Sequence, residues 1–256
     1  MAGEKAMKHK FKAMQPAPYL YPLNYPHSWI IILPICLLLT LTLSSCAVAK
    51  VVTFAEATRI AQGGAFDAQT YVDGKWPEVY STIIENAVEL STVLGAIQTD
   101  GKGLAKKATL KQVADEFGLT TEGEAHVFMV KGRGTVTAVD SESRTGTMEI
   151  SLENYSGPIK VKVFIGPRLP SDETAVRDAV GFIKFGDFKE QTEFGKVSRE
   201  LNKRVLNEVL ANLAVADLPG QTVSFSGVFT IRTFNQTGDI NVSEIFVTPV
   251  QIETGG

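Results

Sequence analysis

Cysteine is almost absent: Cys36 and Cys46 are the only two in 256 residues. That excludes a disulfide-stapled secreted scaffold and a cysteine-rich metal site. Histidine is nearly as scarce, and of the three only His126 lies beyond residue 27. No histidine-rich metal set can form after that point, and a Ser-His-Asp relay would have to use His126 with no nucleophile-elbow sequence to serve it. No charge of one sign dominates: 25 Lys plus Arg stand against 28 Asp plus Glu, for a formal net charge of -3. No continuous apolar stretch is long enough for a polytopic membrane protein. With 44% hydrophobic and 21% charged residues, wholesale disorder is excluded as well.

The N-terminal pattern is specific. Lys5, Lys8, Lys10 and Lys12 face only Glu4, and Trp29 to Leu43 then form an uncharged apolar run of about 15 residues. A bilayer-crossing helix needs roughly 20 residues, and Pro34 interrupts this run, so the pattern is that of an export signal. A start at Met7 or Met14 would give a leader of more ordinary length. Leu43-Ser44-Ser45-Cys46 comes next, and it resembles the lipobox of bacterial lipoproteins, in which the chain is cut before the cysteine and the thiol is acylated. Residues 1–45 are thus expected to be a signal peptide, with Cys46 the lipidation site and the membrane the partner it contacts. Cleavage removes four lysines and one glutamate and leaves 21 basic and 27 acidic side chains, a charge near -6. Each acyl methylene buried in the bilayer contributes about 0.8 kcal/mol, so two or three chains hold the protein firmly.

Residues 46–65 read as a tether, and 66–256 as a single domain with a helical part over 66–125. From Trp76, one apolar stripe (Val79, Tyr80, Ile83, Ile84, Ala87, Leu90, Leu94, Ile97) has helical spacing, with Pro77 placed in a first turn. A second helix is predicted over about Leu104 to Phe117, stopped by Gly118. Near Val127 the period changes from helical to alternating. Residues 127–139 read as a strand bent at Gly132 and Gly134, followed by a polar turn (Asp140 to Gly146) and two more strands around 148–152 and 159–165. Helices return from Ser171 or Asp172 through Ile183. Asp187 and Glu190 have capping-box spacing ahead of a long helix lined by Phe194, Val197, Leu201, Val205, Val209 and Leu213. Pro219-Gly220 then leads into strands at 221–231 and about 243–252. The expected fold is α+β: N-terminal helices plus an OB-like five-stranded antiparallel barrel over 126–256, with a helical insertion between strands three and four.

An ordered set of short elements carries a family resemblance. It runs through the lipobox, Val130-Lys131-Gly132-Arg133-Gly134-Thr135-Val136, Ser143-Arg144-Thr145-Gly146 and Ile165-Gly166-Pro167. Arg177-Asp178-Ala179, Phe182-Ile183-Lys184-Phe185, Asp187-Phe188, Leu201-Asn202 and Thr248-Pro249-Val250 complete it. Together they resemble the bacterial periplasmic lipoprotein family called domain of unknown function 2291. One departure is Glu190 ahead of Gln191, where the family tends to have Asn-Gln. The resemblance implies an exported, lipid-anchored protein with no established activity, often encoded beside sugar ABC transporter components.

Candidate contacts with a ligand or partner are Arg144, Arg177, Asp178 and Gln191. Arg144 could present a guanidinium from the hairpin turn, or pair with Asp140 or Glu142. Arg177 and Asp178 are helix neighbours that should point apart, which leaves Arg177 to pair with Glu173. Asp178 and Gln191 could bridge barrel and helices. His126 reads as structural, and Gly132-Arg133-Gly134 as a strand bend rather than a phosphate loop, since no helix follows it. Lys102, Lys106, Lys107 and Lys111 read as a solvated helix face, or as a face turned to anionic headgroups near the anchor. No cofactor, metal or catalytic residue is expected. Nucleic acid is disfavoured despite Phe225, Phe229, Phe234 and Phe246, because an acidic domain lacks the electrostatic term. The expected function is a non-catalytic accessory lipoprotein on the periplasmic side, a ligand- or protein-binding module of sugar ABC transport. The alternatives are a structural or assembly factor of the envelope, and a hydrolase using Asp178 and Glu173.

Overall fold

The computed structural model describes residues 65–123 and 125–255. The expected leader, the lipidation site at Cys46 and nearly all of the expected tether lie outside them. Residues 65–256 form one unit by contacts.

Helix α1 spans Ala68–Asn86. Asp67 caps it: its Oδ1 accepts from the backbone N–H of Gln69 at 3.0 Å and of Thr70 at 3.3 Å. Pro77 therefore sits inside the helix rather than in a first turn, a correction to the sequence reading. The long apolar stripe also divides. Ala87 turns extended, Val88–Glu89 form the two-residue strand β1, and Leu90–Ala96 form a separate helix, α2. The physical reason is that the two halves feed different cores. Val72, Val79 and Ile83 pack in one and Leu90, Val93 and Leu94 in the other. Leu104–Ala105 form strand β2 rather than a first helical turn, so helix α3 runs over Lys107–Phe117, burying Leu110, Val113 and Ala114. Strand β3 is Leu119–Thr120.

The long strands come next. They are β4 (Ala125–Asp140), β5 (Thr147–Leu152) and β6 (Lys160–Phe164). An insertion then carries helix α4 (Ala175–Ala179), a 3-10 turn at Phe185–Asp187, and helix α5 (Gln191–Arg204), which continues as a π-helical turn over Val205–Leu210. Strands β7 (Thr222–Arg232), β8 (Ile240–Asn241) and β9 (Glu244–Thr254) complete the chain. The expected capping box is not at the start of α5. Asp187 instead serves the 3-10 turn, its Oδ2 accepting from the Lys184 N–H at 3.4 Å, while Glu193 Oε2 accepts from the Lys189 N–H at 3.0 Å.

Strand β4 pairs in two directions, as its glycines suggested. Residues 125–135 run antiparallel to β7, and residues 134–140 run antiparallel to β5. Gly134 belongs to both ladders, where a Cβ would press on the Ser151 carbonyl oxygen and lie 2.9 Å from Leu152 Cα. From there β5 pairs β6, β6 pairs β9, and β9 pairs β7. The expected OB-like five-stranded antiparallel barrel is corrected on two counts. The β6–β9 pair is parallel, because the insertion lets the chain return through β7 so that β9 enters beside β6 in the same direction. Among the described residues the sheet also has seven strands. The first half of β4 pairs β7 along one edge, and β1 and β3 pair with it at Val130–Lys131 and at His126–Val127. Short β2 and β8 pair separately.

Strand alternation feeds two cores. Phe128 and Phe229, stacked at 4.8 Å, join Val136, Met148, Val163 and Leu110 on one side. Val127, Val228 and Val250 join Val79, Ile83, Val176, Val197 and Leu201 from α1, α4 and α5 on the other. Among the described residues no helix is long and apolar enough to cross a membrane.

Candidate functional site

Where the insertion meets the sheet, a cleft of about 330 Å³ opens. Its walls come from separate stretches of chain: Phe164 at the end of β6, Pro170 to Glu173 ahead of α4, Thr230 to Arg232 at the end of β7, and Gln236 to Phe246 leading into β9. The volume falls within the range of small-molecule sites, about 300–1,000 Å³.

Each side chain has a local reason for its position. The Arg232 guanidinium clamps the segment before α4, with Nη1 on Asp172 Oδ2 at 2.6 Å and Nη2 on the Asp172 carbonyl at 2.7 Å. That hydrogen bond holds the Asp172 carboxyl below its ordinary range. Glu173 is turned inward, and its Oε1 accepts from the Ala175 N–H at 2.7 Å at the start of α4. Burial dominates its environment and pushes its pKa up. Asn202 on α5 donates to the Glu173 carbonyl at 2.9 Å and ties the segment to the long helix.

On the β6–β9 side, Phe246 is 37% exposed and stacks on buried Phe164, with ring centroids 5.5 Å apart. Its cross-strand neighbour Lys162 places Nζ 2.6 Å from Glu244 Oε2 and 5.4 Å from the Phe246 ring centre. Gln236 donates to the Arg232 carbonyl at 3.3 Å, and Asn241 Oδ1 accepts from the Ser243 N–H at 2.9 Å. The Thr230 hydroxyl is enclosed without a hydrogen-bond partner among the described residues. Asp172 and Glu244 each already have a cation, so beside the inward-turned carboxyl of Glu173 the cleft offers planar hydrogen-bonding groups and an aromatic ring.

The sequence-predicted residues do not gather in this cleft. Arg144 is exposed in the β4–β5 turn and forms no ion pair among the described residues. Asp140 binds the backbone instead, its Oδ1 accepting from Glu142 N–H at 3.2 Å and Ser143 N–H at 3.0 Å, and the Ser143 bonds lower its pKa. Arg177 and Asp178 meet rather than diverge. Arg177 Nη2 and Nε lie 2.6 Å and 2.7 Å from Asp178 Oδ1, and Nη1 donates to the Phe194 carbonyl at 3.2 Å. The guanidinium also stacks 3.5 Å from the centre of the Phe194 ring. The expected Arg177–Glu173 pair is therefore not formed, because the five-residue helix α4 lets the long arginine stem curl back on its neighbour. Gln191 is exposed at the first position of α5, and among the described residues neither its side chain nor that of Asp178, which is held by Arg177, bridges barrel and helices. His126 is buried, with Nδ1 3.1 Å from Thr120 Oγ1 across the β3–β4 pair. Gly132-Arg133-Gly134 lies within a strand, where Arg133 pairs with Glu153 at 3.3 Å. Among the described residues no cluster of metal-ligating side chains occurs.

These features define a mixed α/β protein of the OB-fold type, enlarged by a helical insertion. A crystal structure of an OB-fold protein from Thermotoga maritima is similar in fold, with a TM-score of 0.54 and 20% sequence identity, covering 74% of this chain and 99% of that one. No curated protein matches the sequence. Residues 36–253 match the family described as "Predicted periplasmic lipoprotein (DUF2291)", and the chain belongs to that family. The match takes in Cys46 and every element of the ordered set from Val130 to Val250.

Proposed function

We propose that the protein is a non-catalytic accessory lipoprotein of the cell envelope, held at the membrane through lipidated Cys46, and that its cleft beside Phe246 receives a neutral polyhydroxylated ligand of the sugar class. The observation that carries this reading is the pairing of charges in the cleft. Asp172 is matched by Arg232 and Glu244 by Lys162, so a ligand meets hydrogen-bonding groups and the single buried carboxyl of Glu173 rather than a strong field of either sign. Neutral hydroxyls satisfy such groups, and sugar C–H faces pack on an aromatic ring of the kind Phe246 exposes. The setting we propose for the protein is beside a sugar ABC transporter. The separation of the two candidate acids supports the non-catalytic reading: Glu173 lines the cleft, whereas Asp178 is held by Arg177 outside it.

Calorimetric titration and thermal shift with mono- and oligosaccharides test this. A binding sugar should stabilise the protein, and Phe246→Ala should weaken its affinity roughly tenfold, the loss of one aromatic contact of about 1.4 kcal/mol. Arg144→Ala should leave affinity unchanged. If no sugar stabilises the protein and a transporter subunit co-purifies instead, the cleft is a protein contact and the sugar reading fails.

A further inference from the structure

Five aromatic rings form a connected cluster at the beginning of the folded unit. Phe66 meets Tyr71 at 5.9 Å and Phe188 at 5.4 Å, and Tyr71 meets Phe188 at 5.4 Å. Phe188 continues to Phe194 at 5.5 Å, and Phe194 to Phe185 at 5.7 Å. None of the five is fully buried, and Phe185 is 50% exposed. The 3-10 turn at Phe185–Asp187 thus presents Phe185, while Phe66, Tyr71, Phe188 and Phe194 are half-buried behind it and packed against the core. The flanking charges cancel: Lys184, Lys189 and Lys196 are interleaved with Asp187, Glu190 and Glu193. The patch is apolar and aromatic with a mixed-charge rim, so an electrostatic partner of either sign does not account for it.

Its place in the chain names the occupant. Phe66 follows Cys46 by about 20 residues, which even fully extended reach no more than roughly 70 Å. We propose that this aromatic cluster docks on the bilayer that holds the acylated Cys46, with exposed Phe185 set at the level of the lipid headgroups and Phe188 behind it; this rests on the lipid-anchored reading above. Phenylalanine serves there as an apolar anchor, its ring buried at the boundary of headgroups and acyl chains. A patch this small binds membranes only weakly alone. The covalent tie to Cys46 makes this contact intramolecular at the surface, so weak intrinsic affinity is enough.

Docking fixes an orientation. The N-terminal end of α5, carrying Phe194, faces the lipid. The β4–β5 hairpin lies toward the other end, since Gly146 abuts the Gly166 carbonyl and Gly166 approaches Leu206. Leu206 lies about 18 Å along the helix from Phe194.

The test uses the lipidated protein in phosphatidylcholine vesicles containing brominated lipid, with flotation reporting anchoring separately. Emission is read for Phe185→Trp and for Arg144→Trp, each relative to the unsubstituted protein, in which Trp76 is buried. The expected result is that bromolipid roughly halves the Phe185→Trp signal, as befits a side chain at the headgroup boundary, and leaves Arg144→Trp unaffected. Amide exchange across residues 182–190 of the unsubstituted protein should slow on vesicles, which gives the same reading without a variant. Flotation with neither tryptophan quenched, or with both quenched alike, overturns docking while leaving the anchor standing. Protection that needs added envelope protein overturns it in favour of a protein partner. Failure to float overturns docking and anchor together.

Discussion

Arg177 offers the sharpest quantitative test, because it is buried, charged and engaged on three sides. It is 8% exposed, pairs with Asp178, stacks on Phe194 and donates to the Phe194 carbonyl. Arg177→Met keeps the stem that covers the ring and removes the charge. Asp178, whose side chain is only 15% exposed, is then left without its cation. Stranding one partner of a buried pair costs about 3–5 kcal/mol, and the residual exposure of Asp178 puts the expectation near the lower figure. Asp178→Asn leaves the guanidinium its ring and its carbonyl, so about 2 kcal/mol is expected. The double variant removes the mismatch and should cost no more than Arg177→Met alone, a coupling of about 2 kcal/mol. Urea unfolding of all four proteins measures this. With a slope of about 2 kcal/mol/M, Arg177→Met should lower the midpoint by roughly 1.5 M. Additive effects, or a midpoint change below about 0.5 M for Arg177→Met, would refute the claim that this pair pins α4 to α5.

Two further predictions concern the sheet and the cleft. Gly134→Ala should cost about 2 kcal/mol more than Gly132→Ala in the same urea assay. A Cβ at 134 meets backbone of β5, whereas at 132 its neighbours are the movable side chains of Leu152 at 2.8 Å and Phe225 at 3.0 Å; equal costs would remove the special role of Gly134. Glu173→Gln should stabilise the protein at neutral pH. Its folded pKa is raised by burial above the ordinary 4.5, so stability is lost as pH rises from there through the folded value. The variant-minus-wild-type difference should therefore grow with pH and vanish below about 4, and a flat difference would show that Glu173 is not desolvated. Subtraction is needed because Asp172, with its lowered pKa, contributes the opposite slope, stabilising above its unfolded value.

Much of the sheet was legible in the sequence because it rests on period-two alternation and on glycines where a Cβ does not fit. Gly132 and Gly134 announced a strand that bends, and Met148, Ile150 and Leu152 announced the face they bury. The divided helix was not legible. Ile83, Leu90 and Leu94 keep one helical spacing across Ala87, although the first belongs to one core and the others to the next. Two-residue strands leave no periodic trace. The cleft was illegible for a different reason. Phe246 was visible only as an aromatic and Glu173 only as a carboxylate, and Arg232 carried no signal at all. They meet because the β6–β9 pair is parallel and brings residues 160–173 beside 230–246.

The insertion between β6 and β7 is where the sheet gains both of its distinctive surfaces. It sends Asp172 and Glu173 to the cleft, and Phe185, Phe188 and Phe194 to the aromatic patch. Arg177 joins the two stretches. Its guanidinium holds Asp178 on α4, the helix whose first N–H is bound by Glu173, and it holds the carbonyl and ring of Phe194 near the start of α5. One buried cation therefore sets the spacing between the segment that walls the cleft and the helix end that carries the patch, which is why its loss should be felt in the whole insertion rather than at one side chain.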